Sequence, residues 1–193
     1  MTVKKKRGRP AGEKAQLGEE RILSVAKSMM KKQGKIPSIR ALASELDVDA
    51  MAIYYYFKNK DALLEAITVS LIEDIYLPKT NENWKHELTQ LATSYVQLLK
   101  SYPGLLTTLL SIESVSPAMV FIERFKSIIA PLSLNEAEER NAIDLLADYL
   151  HGFALALNCN PNTDQLDENM MTGPLSLYCL SLIHISEPTR QVP

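Results

Sequence analysis

Apolar residues recur at three- and four-residue intervals along most of this chain, and no alternating segment stands out, so helices rather than strands are expected throughout. A first helix is predicted from about Gly18 to Gln33, with Ile22, Leu23, Val25, Ala26, Met29 and Met30 on its apolar face and Gly34 at its C-terminal cap. Ser38 is placed to cap a second helix built on Ile39, Leu42, Ala43 and Leu46. Asp47-Val48-Asp49 interrupts that pattern, and Asp49 is placed to cap a third helix, Ala50 to Phe57. A fourth helix is expected from Asp61 to about Leu77, unbroken until Pro78. Further helices are expected over Trp84–Lys100 and Leu105–Ile112. Another begins at Ser116-Pro117, with Ser116 as its cap, and ends at Pro131. Asn135 to about Asn158 comes next, then a last apolar segment from Met170 to about Ile183, interrupted by Gly173-Pro174. From Ser181 to Pro193 helical periodicity is lost, and this tail reads as a cloning or reading-frame scar in place of native residues.

Two short helices joined by a tight turn, residues 38–57, form the frame of a helix-turn-helix, whose second helix enters the major groove of DNA. Val48, Ile53 and Phe57 are expected to face inward, Tyr54 and Tyr56 outward. Ala50, Met51 and Ala52 at the leading end leave room for close approach to the groove. Tyrosine hydroxyls reach phosphates and the rings reach thymine methyl groups. Asn59 is placed to cap the next helix, whose N-terminal end suits a phosphate, and Lys58, Lys60 and Arg40 are candidate phosphate contacts.

Charge sharpens this picture. The net charge is only −2, yet residues 1–60 carry 14 Lys and Arg against 6 Asp and Glu, and the rest of the chain 7 against 17. A basic N-terminal third on an acidic body points that third toward a polyanion. Residues 1–17 read as a basic flexible arm. Its Arg7-Gly8-Arg9-Pro10 resembles the core of AT-hook-like arms, which lay arginines along the minor groove. Attraction of Lys4, Lys5, Lys6, Arg7 and Arg9 to phosphates is the competing account. Of the 193 residues 46% are apolar, enough for a substantial core in one or two domains.

Little supports catalysis. His86, His151 and His184 stand outside any HxxxH or HExxH spacing, and Cys159 and Cys179 form no CxxC. There is no glycine-rich phosphate loop and no GxSxG, and Glu113, Asp144 and Asp148 are scattered. No metal, cofactor or enzymatic activity is expected. With a charged start and no apolar run of the ~20 residues that cross a bilayer, a cytoplasmic protein with free thiols is expected.

Val48, Ile53-Tyr54, Tyr56-Phe57, Lys58-Asn59-Lys60 and Leu63-Leu64 together resemble the signature of TetR-family transcriptional regulators, with Ile for Leu and Tyr56 for His as departures. Trp84, Leu88, Tyr95, Leu98-Leu99 and Pro103 follow the same family's style in the fifth helix. Leu146 to Ala156 looks like its dimer-forming helix, where Gly152, Ala154 and Ala156 allow close approach. The resemblance implies an all-α chain: a three-helix DNA-binding domain over 18–64 and a helical ligand-binding and dimerisation domain over 65–180. It implies a homodimeric repressor on a palindromic double-stranded operator, with Arg7, Arg9, Arg40, Ala50, Met51, Tyr54, Tyr56, Lys58 and Lys60 as DNA contacts.

The resemblance also implies an effector within the C-terminal bundle. Candidates to line its site are Tyr76, Tyr95, Tyr102, Glu113, Phe121, Phe125, Tyr149 and His151, a largely apolar set suited to a small hydrophobic or aromatic molecule. Tyr76 and Leu91 occupy the positions of a histidine and an asparagine in the tetracycline-sensing member, so tetracycline–magnesium is not the expected effector. A constitutive architectural DNA-binding protein and a helical enzyme or interaction module are the alternatives.

Overall fold

The computed structural model describes residues 17–79, 83–159 and 168–187, and among these all regular structure is helical. Among the described residues the α-helices are α1 (Glu19–Gln33), α2 (Ile39–Leu46), α3 (Ala50–Tyr54), α4 (Lys60–Glu73), α5 (Trp84–Ser101), α6 (Leu105–Ser111), α7 (Ser116–Ile129), α8 (Glu136–Cys159) and α9 (Thr172–Ser186). Helices α1–α3 form a small head around Ile22, Ala26, Met30, Leu42, Leu46 and Ile53, all buried. Helices α5, α7 and α8 form the centre of the larger body, and α4 runs between the two, packed on α1 and on α7. Among the described residues no single helix is long and apolar enough to cross a membrane.

Local chemistry sets most helix boundaries. Gly34 closes α1 at φ 66°, a left-handed conformation that glycine adopts without a Cβ penalty. Side-chain caps form where the sequence places them: Ser38 Oγ accepts from Ala41 N at 3.2 Å and Asn59 Oδ1 from Ala62 N at 2.8 Å. Asn135 Oδ1 accepts from Ala137 N and Glu138 N, and Glu138 Oε2 accepts from Asn135 N in return, a reciprocal capping box.

Four boundaries differ from expectation. Helix α4 ends at Glu73, not near Leu77, because the Asp74 and Ile75 amides turn back to Leu71 and Ile72 and side chains from α1 and α7 take other carbonyls at its end. Helix α3 is five residues long and relaxes into a turn at Tyr55, where Tyr56 N bonds three residues back to Ile53 O. Ser116 lies inside α7 rather than capping it; Val115 holds the cap position, and Ser114 Oγ accepts from Ser116 N. Helical order continues past Ser181 to Ser186, with Leu175, Cys179 and Leu182 buried at helical spacing, and Pro174 is absorbed in the first turn of α9.

The head also meets the body where the α5–α6 corner lies on the α1–α2 turn. A Cβ built on Gly104 would stand 2.8 Å from Gly34 O and 3.1 Å from Lys35 Cα, so only glycine allows this approach.

Candidate nucleic-acid interface and effector core

The turn between α2 and α3 is a Schellman motif. Val48 N bonds to Ala43 O at 3.0 Å and Asp47 N to Ser44 O at 3.2 Å, with Asp47 left-handed at φ 55°. Asp49 Oδ1 then accepts from Met51 N at 2.8 Å and starts α3. The turn is therefore fixed by backbone bonds at one end and a side-chain cap at the other, and the direction of α3 follows from it.

Ile53 and Phe57 fill the head's core, and the opposite side of α3 is bare. Met51 is 71% exposed, Tyr54 41% and Tyr55 85%. Arg40, Lys58 and Lys60 are exposed on the flanks, and Ala50 is half-buried. Tyr56 corrects the expectation of two outward tyrosines. It is half-buried against the core, and its hydroxyl donates to Leu17 O at 2.6 Å. Tyr55, which the sequence reading passed over, takes the outward place, its ring edge-on to Tyr56 with centroids 5.2 Å apart. The helical interval Met51, Tyr54, Tyr55 was the signal that could have found it. Arg7 and Arg9 lie outside the described residues.

In the body, four of the eight effector candidates come together. Tyr95 on α5 and His151 on α8 share a hydrogen bond, Oη to Nε2, at 2.8 Å. Phe121 on α7 lies with its ring centroid 4.7 Å from that of Tyr95, and Phe125, one turn on, is fully buried. Burial pushes the Tyr95 phenol well above its usual value, so it stays a neutral hydroxyl. Burial also holds His151 below the ordinary imidazole value, against the opposing charge of Asp148. The result is an aromatic core with one polar pair inside it.

The other four lie elsewhere. Tyr76 follows α4 and donates its hydroxyl to the Glu87 carboxylate at 2.9 and 3.1 Å; Lys79 N also donates to Glu87, so this buried acid is satisfied. Tyr102 sits half-buried at the α5–α6 corner, its hydroxyl pushed up by burial and by Asp74. Glu113 follows the end of α6 and lines a crevice with Asn59, Asp61 and Glu65. Ser114 beside it donates to Glu65 Oε1 at 2.7 Å, and the Ser114 and Ser116 hydroxyls hold the Glu65 carboxyl below its ordinary value. Tyr149, two residues before His151 and so on another side of α8, lines a groove of about 590 Å³ between α8 and α9 with Leu145, Leu177 and Leu180. Leu91, fully buried, offers no polar group.

The comparisons with known proteins follow the same division. A family model described as bacterial regulatory proteins, tetR family, matches residues 22–67, and one described as tetracyclin repressor-like, C-terminal domain, matches residues 77–174. The class D tetracycline repressor of Escherichia coli is 31% identical over 93 residues, 46% of this chain and 42% of that one; the stretch matched in the class G repressor is 31% of its length. BioQ of Mycobacterium smegmatis superimposes at TM-score 0.72 with 19% identity, over 87% of this chain and 98% of that one, and BioQ has also been solved with its double-stranded DNA operator. ActR of Streptomyces coelicolor, solved with actinorhodin, superimposes at TM-score 0.66 with 20% identity, over 92% of this chain and 88% of that one. With a capped turn presenting a bare aromatic helix at one end, and both halves matched in order, the chain belongs to the TetR family of bacterial regulatory proteins.

Proposed function

We propose that the protein is a homodimeric, ligand-responsive transcriptional repressor that binds a palindromic double-stranded operator. The observation that carries this reading is the outer face of α3: Met51, Tyr54 and Tyr55 are exposed there, flanked by Arg40, Lys58 and Lys60. Aromatic rings and a thioether suit base edges and thymine methyl groups, and the three cations suit the phosphates on either side. The Asn59-capped start of α4 offers its free amides to a backbone phosphate. Arg7 and Arg9 in the arm add minor-groove or phosphate contacts. BioQ's capture with an operator duplex supports the same mode here.

The effector is a small hydrophobic or aromatic molecule that inserts beside Tyr95, Phe121, Phe125 and His151, where the Tyr95–His151 pair supplies a polar handle. The aromatic surroundings support that class of ligand, and ActR's complex with actinorhodin supports response to a ligand. The apolar groove along α8 and α9, with Leu145, Leu177 and Leu180 exposed, supports pairing of two copies through these helices. Such a regulator works in the cytoplasm. Although α9 runs on to Ser186, the chain from Ser181 ends in Pro and polar residues, which supports a tail foreign to the native chain; reading the gene through the Pro193 codon tests this, and native codons there overturn it.

Selection of bound sequences from random duplex tests the central claim. Enriched inverted repeats with half-sites about one helical turn apart, or a multiple of it, are the expected result. Enrichment of nothing, or of a single unrepeated site, counts against a dimeric repressor.

A further inference from the structure

Helix α4, like any helix, leaves the carbonyls of its last turn without intrahelical partners. Two are satisfied by the chain that follows: Asp74 N bonds to Leu71 O at 3.2 Å and Ile75 N to Ile72 O at 3.1 Å. The other two, those of Ser70 and Glu73, are taken by cations, one from the head and one from the body. Lys27, on α1 of the head, donates its ammonium to Ser70 O and to Asp74 Oδ2, both at 2.8 Å. Arg124, on α7 of the body, donates Nη2 to Glu73 O at 3.0 Å, and Nη1 to Ile75 O at 2.6 Å and Tyr76 O at 3.4 Å. Both charges sit at the negative end of the helix dipole.

The two grips differ in kind. The Arg124 guanidinium is planar with its donors fixed in a fork, so three backbone acceptors around it define where the end of α4 lies and how it is turned. The Lys27 ammonium is a point charge on a flexible stem, and its carboxylate partner Asp74 is exposed. Ser114, just before α7, holds Glu65 further up α4 at 2.7 Å. Helix α4 is thus fastened to the body at two places along its length, and its end is tied to the head through Lys27.

We propose that Arg124 and Lys27 are positioning residues that carry the placement of the body to the reading head: Arg124 makes the end of α4 travel with α7, and Lys27 ties that end to α1. The inference rests on the repressor reading above, in which two heads must match two half-sites at a set separation.

The full chain is used for the test. A duplex is first selected with the unaltered protein, and its half-sites are then moved apart or together by one base pair. The unaltered protein is expected to discriminate among the spacings by on the order of 10- to 100-fold. Arg124→Met and Lys27→Met retain most of each side chain's length and remove its donors. Each is expected to bring that ratio to within about threefold, while an isolated half-site is still bound and thermal unfolding stays cooperative. Arg124→Lys, which returns a charge to the carbonyls, is expected to recover part of the ratio, and with Lys27→Met it carries the test if Arg124→Met does not fold. A merely structural role would lower the melting temperature and weaken every spacing alike, leaving the ratio unchanged. That result, or an unaltered protein indifferent to spacing, overturns the inference and leaves duplex binding standing. An unaltered protein that enriches no duplex removes the repressor reading and this inference with it.

Discussion

Tyr54 closes α3 and Tyr56 lies in the turn that follows, but Tyr55 between them keeps right-handed helical backbone angles, so the side chains of Tyr54 and Tyr56 point about 200° from one another and cannot share a face. Tyr56 goes with Ile53 and Phe57 into the head; Tyr54 goes with Met51 and Tyr55 to the outside. Composition alone put aromatics at the reading end, but the helical interval decides which of them read. Replacing Tyr54 and Lys60 together by Ala is expected to abolish retention of the selected duplex with the helical circular dichroism unchanged. Tyr55→Ala alone is expected to weaken it by roughly tenfold, the size of one lost base contact. Tyr56→Phe removes the bond to Leu17 O, and a urea titration is expected to show about 1 kcal/mol less stability.

His151 gives a pH signature at the same scale. Burial lowers its pKa in the folded chain, so as pH falls below the ordinary value of 6.5 the unfolded chain takes up its proton first. Its contribution is therefore fully present above 6.5 and is lost as pH falls from there toward the lower folded value. His151→Gln is expected to flatten the fall in urea midpoint between about pH 7 and pH 5.5; an unchanged slope would mean other groups dominate.

Among the elements, the caps were legible and the end of α4 was not. Ser38, Asp49 and Asn59 each satisfy an amide two or three residues away, so sequence neighbours contain the whole interaction. Asn59→Ala is expected to cost about 1 kcal/mol in a thermal or urea melt, and to weaken duplex binding by shifting the start of α4. The stop at Glu73 depends on Arg124, some fifty residues further along the chain, and no local pattern carries that information. The Gly104 corner is similar. Its backbone is ordinary, and glycine is required there only because Gly34 lies against it. Gly104→Ala is expected to destabilise by about 1–3 kcal/mol through displacement of backbone by backbone, with the head less firmly seated on the body in hydrogen exchange.

At the scale of the whole molecule, charge and surface govern. The excess of cations in the first 60 residues predicts that duplex affinity falls steeply as salt rises; a nearly flat dependence between about 50 and 200 mM would argue against phosphate contacts. Helix content, the order of the helices, the capped helix-turn-helix and the basic-to-acidic division were all determined by the sequence by itself, because periodicity, capping and net charge are properties of neighbours along the chain. Three things waited for the tertiary structure: which effector candidates meet, where α4 stops, and which apolar face of α8 and α9 remains uncovered. Each depends on a residue brought from a distant helix: His151 against Tyr95, Arg124 against Glu73, and the α9 leucines beside Tyr149. Side-chain direction around a helix is readable from spacing, but what lies opposite it is set only when the helices pack.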